Sequence, residues 1–350
     1  MNTWSSELSK LVANSMLAQR ISSINSISAI CEKTGADIEE VAKSIGMDPR
    51  IGDKYLKAGI GFGGSCFRKD ILSLVYLAES LGLEEVAEYW TQVLTVNEWQ
   101  RNRFVRRAIR CLNGTVVGKK LTVLGYAFKK DTNDTRESPA LECIKVLLED
   151  APREIAVFDP CCDPATVREE IGRLVGEHVL KENGGPIEVY PDAYQACADS
   201  NAVLIMTEYD EFKTSPISSP KLAPKSTTKK SPVDPRPFQH LEPSETEILQ
   251  LQRYLTSSFS VSDPLQRFEE EPNCEEGCKF CVSENEMERT VVLSGKDGSG
   301  KLDWARIAYH LQKPKWVFDG RGVVDAGEME ELGVRVEGVG KVGWGGLGRR

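Results

Sequence analysis

The chain has 350 residues, 40% of them hydrophobic and 28% charged, and carries a net charge of −9. This is a soluble globular composition with room for two ordinary domains, and the acidic balance argues against a dedicated nucleic-acid surface. No run approaches the roughly 18 apolar residues of a membrane span. The segment Met1 to Glu7 has no basic stretch followed by an apolar one, so no signal peptide is read. Ten cysteines scattered over this length read as free thiols of a cytoplasmic protein, not as a disulfide framework.

Apolar residues at Leu8, Leu11, Val12, Met16, Leu17, Ile21, Ile24, Ile27 and Ile30 recur at three- and four-residue steps and predict one helix from about Thr3 to Lys33. Gly35 suits its left-handed end. Asp37 then caps a second helix over Ile38 to Ile45, with Glu40 as capping-box partner. Helical spacing returns over Asp70–Leu81 and Glu84–Leu112. Residues 1–113 are thus predicted as a helical domain, broken by the glycine-rich stretch from Gly59 to Cys66.

The pattern changes after Asn113-Gly114. Strands are predicted at Lys120–Leu124, Glu154–Phe158, Ile187–Tyr190 and Ala202–Met206, with helices at Pro139–Glu149 and Asp192–Ala198. Strands resume at Trp316–Asp319 and Gly333–Val339. Such alternation implies a parallel sheet in an α/β domain over 114–214 and 301–340. Its ligands belong at the carboxyl ends of the strands, just after Leu124 and Met206. Residues 215–300, rich in Pro, Ser, Thr and Lys and then acidic, are predicted as a disordered insertion. The glycine-rich 341–350 read as a loose tail.

Three stretches carry chemistry. In Gly61-Phe62-Gly63-Gly64-Ser65-Cys66-Phe67-Arg68-Lys69-Asp70 the glycines admit close approach of a ligand, and a cysteine before a helical run and beside Arg68 and Lys69 sits where a thiolate is favoured. Asp70 is one helical turn on. The alternative is a glycine loop with a buried structural cysteine. Lys10 and Asn14 share a helix face and read either as a cation and amide aimed at one oxyanion or as ordinary surface polarity. The run from Gly125 to Ser138 starts where the first strand ends. There Phe128 suits stacking on a base, while Lys129 and Arg136 suit phosphates; the alternative is a charged, solvated loop.

The phrases Asn2-Thr3-Trp4-Ser5-Ser6-Glu7-Leu8-Ser9-Lys10-Leu11, Gly61-Phe62-Gly63-Gly64-Ser65-Cys66-Phe67, Ala127-Phe128-Lys129-Lys130-Asp131-Thr132 and Phe318-Asp319-Gly320-Arg321 occur in the order found in the UDP-glucose/GDP-mannose dehydrogenase family, which the chain resembles over about 1–212 and 302–340. The resemblance implies an α/β fold: a central helical domain, then a Rossmann-like parallel-sheet UDP-binding domain carrying the insertion. It implies an oxidoreductase that converts UDP-glucose to UDP-glucuronate in two NAD-dependent steps, through a thiohemiacetal and a thioester on Cys66. Lys10 and Asn14 would then stabilise oxyanions, with Asp70 orienting or activating water. Arg50, Lys57, Gly61, Phe62, Gly63, Phe128, Lys129 and Arg321 match substrate-binding positions, and Lys69 and Arg136 match positions near NAD. A homo-oligomer through the helical domain is also implied.

The chain departs from the family pattern at three points. No G-x-G-x-x-G follows a strand near Met1, so the family's N-terminal NAD-binding domain is expected to be missing and the chain alone inactive; the alternative function is a UDP-sugar-binding or dimerisation module. The insertion is the second departure. Gly322, where the family often has a polar or basic residue, is the third. Two further patterns read as bland. Cys274-x-x-x-Cys278-x-x-Cys281 has no partner motif, so no metal site is predicted. Gly295 to Lys301 fits a phosphate-loop spacing but is followed by Leu302 where Ser or Thr is required.

Overall fold

The computed structural model describes residues 1–214 and 300–341, which belong to one compact unit. The predicted insertion and tail, the Cys274–Cys281 run and most of the phosphate-loop-like run lie outside the described residues.

Helix α1 (Thr3–Thr34) starts at Asn2, whose side chain accepts from the Ser5 amide, and ends at Gly35 with φ 88°. Its buried face is not the predicted apolar stripe. Leu8, Met16, Ile27 and Ile30 are exposed, while Ser15, Ala18, Ser22, Ile24, Asn25, Ser28 and Cys31 are buried. These residues also recur every three or four positions, and their small side chains let the later helices over Ser65–Ser80 and Glu84–Cys111 pack closely against α1. Ser22 Oγ donates to the Val93 carbonyl at 2.8 Å, whereas Ser15 Oγ is buried with no hydrogen-bond partner among the described residues.

Helix α2 (Ile38–Gly46) is capped by Asp37, which accepts from the Glu39 amide; among the described residues the Glu40 half of the capping box is not made. Helix α3 (Ser65–Ser80) begins five residues before its predicted start, so Cys66 lies in its first turn and not in the loop before it. Helix α4 (Glu84–Cys111) completes the helical part.

The sheet part contains β1 (Lys120–Leu124), α5 (Pro139–Leu148), β2 (Glu154–Phe158), α6 (Pro164–Val175), β3 (Ile187–Val189), α7 (Ala193–Cys197), β4 (Ala202–Ile205), α8 (Trp304–His310), β5 (Trp316–Asp319), α9 (Ala326–Glu331) and β6 (Arg335–Gly338). All neighbours pair in parallel in the order β3-β2-β1-β4-β5-β6. This is the doubly wound Rossmann order, with the crossover reversing between β1 and β4. Alternation along the strands sends Leu121, Val123, Ile155 and Val157 to one face, against α4, α5 and α6. It sends Leu124, Ala156, Val203 and Val317 to the other, against α7, α8 and Phe212. Helices α6, α8 and α9 were not predicted. Each begins after an aspartate, Asp163, Asp303 or Asp325, whose side chain accepts a first-turn amide hydrogen bond.

The helical part is fastened to the carboxyl edge of the sheet. The Ile60 amide donates to the Gly320 carbonyl at 3.0 Å and the Ile38 amide to the Gly340 carbonyl at 3.1 Å. Arg103 and Arg107 on α4 pair with Glu32 on α1, and Arg107 also pairs with Glu337 on β6. All four of these side chains are largely buried.

Candidate active site

The glycine run between α2 and α3 has no regular structure, so its backbone groups need partners from elsewhere. Three buried amides supply them. Asn25 Oδ1 accepts from the Gly59 amide at 2.8 Å, and Gln100 Nε2 donates to the Gly59 carbonyl at 2.8 Å. Asn97 accepts from the Phe62 amide at 2.8 Å and donates to the Phe62 carbonyl at 3.0 Å, as a paired strand would. Gly61 takes φ 108°, and a Cβ there would lie 2.5 Å from Asn97 Oδ1, so glycine is required. None of these amides was singled out from sequence. The available signal was polar residues at mid-helix positions that share a face with the core.

Ser65 opens α3 on Gly64, and the Cys66 side chain is exposed in the first turn. One turn on, the Asp70 side chain is 1% exposed. Lys10 Nζ donates to its two oxygens at 2.8 and 2.7 Å, and Asn14 Nδ2 donates to Oδ2 at 2.5 Å. Burial alone would raise the proton affinity of Asp70. The hydrogen bonds from Lys10 and Asn14 and the charges of Lys10 and Lys69 outweigh it, and the pKa lies below the usual carboxylate value. The structure therefore joins Lys10, Asn14 and Asp70. The two donors meet a carboxylate of the chain itself, not an open oxyanion position, and each keeps an N–H to spare.

At the end of β1, Asp159 fixes the turn that leads to Phe128. Its Oδ2 accepts from the Tyr126 and Ala127 amides at 2.6 and 2.8 Å. The half-buried Phe128 ring lies on the glycine run: a Cβ on Gly64 would sit 2.8 Å from Phe128 Cε2. That side of the ring is thus covered by backbone. Lys129, exposed, sits with Nζ 5.3 Å from the ring centroid. Arg321, after β5, donates from Nε to the Met206 carbonyl at 2.7 Å and from Nη1 to the Gly61 carbonyl at 3.0 Å. It therefore ties the glycine run to the ends of β4 and β5, and burial pulls its pKa below the usual arginine value. Gly322 next to it takes φ 64°.

Two predicted residues lie differently. Arg50 is exposed and clamped to Asp48, with Nη2 2.6 Å from Oδ2. Lys57 pairs with Glu208, after β4, at 2.8 Å. Near Cys66 in the chain, Lys69 is exposed on α3, and Arg136 is paired with Asp134 at 2.7 Å. Toward a nicotinamide dinucleotide these two cations are the charges the described residues could offer to its phosphates, although Arg136 is already paired with Asp134. No glycine turn opening a helix follows β1, since α5 begins only at Pro139. The described residues thus fit one edge of that cofactor and do not form its pyrophosphate cradle. Among them no three His, Cys, Asp or Glu side chains converge as a metal site, and no helix is long and apolar enough to cross a membrane.

The fold, a doubly wound parallel sheet joined to a helical part, is shared with sugar-nucleotide dehydrogenases of known structure. The chain superposes on a UDP-glucose dehydrogenase from Pyrobaculum islandicum with TM-score 0.50 and 33% identity, over 58% of this chain and 43% of that one. It shares the fold of an NDP-N-acetyl-D-galactosaminuronic acid dehydrogenase from Methanosarcina mazei Go1, with TM-score 0.56 at 16% identity, over 97% and 51%. In sequence it is 53% identical over 222 residues to UDP-glucose 6-dehydrogenase of Bos taurus, covering 61% of this chain and 42% of the relative. It is 37% identical over 348 residues to UDP-glucose 6-dehydrogenase 3 of Arabidopsis thaliana, covering 97% and 54%. It thus spans about half the length of the relatives it matches, or less.

Residues 4–99 match the central domain of the UDP-glucose/GDP-mannose dehydrogenase family and residues 122–238 its UDP-binding domain. The chain belongs to the UDP-glucose/GDP-mannose dehydrogenase family.

Proposed function

We propose that the chain forms the UDP-sugar-binding and cysteine-bearing part of a UDP-glucose 6-dehydrogenase, with Cys66 as nucleophile. The observation that carries this reading is the Lys10–Asn14–Asp70 cluster, built on the buried Asp70 carboxylate one helical turn from an exposed cysteine at a helix start. The Cys66 thiolate adds to an aldehyde at C6 of the sugar, giving a thiohemiacetal; loss of hydride gives a thioester, which water releases as UDP-glucuronate. Lys10 and Asn14 hold the oxyanion of each tetrahedral species with the N–H groups that Asp70 leaves free. Asp70 keeps both donors in place. Phe128, Lys129, Gly61, Phe62, Gly63 and Arg321 line the place of the UDP-sugar, with Lys57 and Arg50 at its margin. A nicotinamide dinucleotide would supply the hydride acceptor, with Lys69 and Arg136 on its phosphate side.

Alkylation tests this directly. Iodoacetamide should label Cys66 faster than Cys111 or Cys161, and UDP-glucose should slow that labelling. Labelling of Cys66 that is unchanged by millimolar UDP-glucose, with no heat of binding in calorimetry, would overturn the assignment. The alternative function, a UDP-sugar-binding or assembly module, is favoured for the chain on its own because the described residues lack the dinucleotide cradle. It requires heat from UDP-glucose without NADH formation. Sustained NADH production by the purified chain excludes it.

A further inference from the structure

We propose that Glu208 is a built-in counter-ion at the ligand place: its carboxylate competes with the diphosphate of a nucleotide sugar for the Lys57 ammonium and so lowers the affinity of the site. The inference rests on the UDP-sugar reading above and adds to it a residue that sets how tightly the ligand is held. Glu208 lies just beyond β4, where the strand order reverses between β1 and β4. Ligands of doubly wound sheets sit in the crevice at that point.

The backbone around Glu208 is anchored on both sides. The Met206 carbonyl accepts from Arg321 Nε at 2.7 Å, and Thr207 Oγ donates to the Ala127 carbonyl at 2.6 Å. The buried Tyr209 donates from Oη to Asp159 Oδ1 at 3.0 Å. Between these fixed neighbours the Glu208 side chain is 42% exposed, with Oε2 2.8 Å from Lys57 Nζ, and the Lys57 side chain is 60% exposed.

The cations of this rim are therefore not equally free. Lys57 is countered by Glu208 and Lys130 by Asp210 at 3.1 Å, whereas Lys129 makes no ion pair among the described residues. A ligand phosphate meets Lys129 without displacing a carboxylate, but it gains Lys57 only in exchange for Glu208. An ammonium is a single point charge on a flexible stem, so it swings from one anion to the other and does not grip both as a guanidinium fork does. Burial alone would raise the Glu208 carboxyl, but the hydrogen bond and charge of Lys57 outweigh it and hold the group below the usual carboxylate range. The competitor is thus ionised at neutral pH. An exposed pair of this kind is worth on the order of a two- to fivefold change in an equilibrium constant.

Calorimetry with UDP-glucose tests this on the full chain, as the parent, Glu208→Gln, Lys57→Met and the double variant. Glu208→Gln keeps the shape of the side chain and removes its charge. It should bind UDP-glucose about two- to fivefold more tightly than the parent at low salt, with the gain shrinking at high salt. Its thermal melt should match the parent's, because both partners are exposed. In the Lys57→Met background the same substitution should gain less, since no ammonium is left to be released. A Glu208→Gln protein that binds no more tightly than the parent overturns the counter-ion role. So does an equal or larger gain in the Lys57→Met background, which would make Glu208 a plain source of repulsion. Absence of binding in all four proteins refutes the UDP-sugar reading itself, and this inference falls with it.

Discussion

Replacing Lys10 with methionine isolates its role at the buried Asp70 carboxylate. Asp70, 1% exposed, would keep one donor, Asn14 at 2.5 Å, and lose the two contacts to Lys10 at 2.8 and 2.7 Å. A hydrogen bond to a charged group contributes about 1.5–3 kcal/mol. The Lys10 side chain is 60% exposed and partly screened, so the lower end, about 1.5–2 kcal/mol, applies. The pH dependence has a definite sign. The folded pKa of Asp70 is depressed, so its stabilisation is present above the unfolded value and is lost as pH falls through the folded one. Without Lys10 the folded pKa rises. The stability gap between the parent and Lys10→Met should be full at pH 7 and should close as pH drops below about 4, where the carboxyl is protonated in the unfolded chain. Urea unfolding across this range reads the gap, with Asp70→Asn and the double variant giving the coupling. A gap that does not change with pH, or a coupling near zero at pH 7, would refute the reasoning.

Two further substitutions probe the glycine run. Asn97→Ala removes both bonds to the Phe62 backbone and leaves a buried amide and carbonyl unpaired, costing about 2 kcal/mol; hydrogen exchange at Phe62 should rise with the loss seen in thermal melts. Arg321→Lys cannot reach the Met206 and Gly61 carbonyls together, so it should weaken UDP-glucose binding in calorimetry while costing only about 1 kcal/mol in urea unfolding.

Much of the fold was readable because strands in a doubly wound sheet are short apolar runs with sharp ends. Lys120–Leu124, Glu154–Phe158 and Trp316–Asp319 fall where the sequence placed them. Helix α6 was missed although Asp163-Pro164 is a capped, proline-led start; its apolar residues are few and Glu170 is among those buried. The error in α1 has a different origin. Periodicity reads large apolar side chains, but close packing of three helices selects small ones, so a face of Ser15, Ala18, Ser22 and Ser28 with Ile24 is inside, while Leu8, Met16, Ile27 and Ile30 are outside. At the candidate site, the spacing of Lys10, Asn14 and Asp70 identified residues that do meet. It did not show that they meet one another. The amides of Asn25, Asn97 and Gln100 were invisible because their partners are backbone atoms 34 or more residues away.

Under the proposed function the helical and sheet parts act on one ligand, and the same glycine run links them. Its amide at Ile60 and its carbonyl at Gly61 are bound from the strand-end side, by Gly320 and Arg321, while Gly59 and Phe62 are bound from α1 and α4. At its far end the Gly64 amide donates to the Glu137 carbonyl at 3.3 Å, just before α5, and Phe128 lies against the same glycine. The start of α3, and with it Cys66, is therefore positioned by both parts at once. A ligand held at the ends of β1, β4 and β5 is held relative to the cysteine by a rigid backbone splint, not by side-chain reach. Substitutions that loosen the splint at Asn97 or Arg321 should accordingly disturb binding and cysteine reactivity together, although neither residue contacts Cys66 in any hydrogen bond among the described residues.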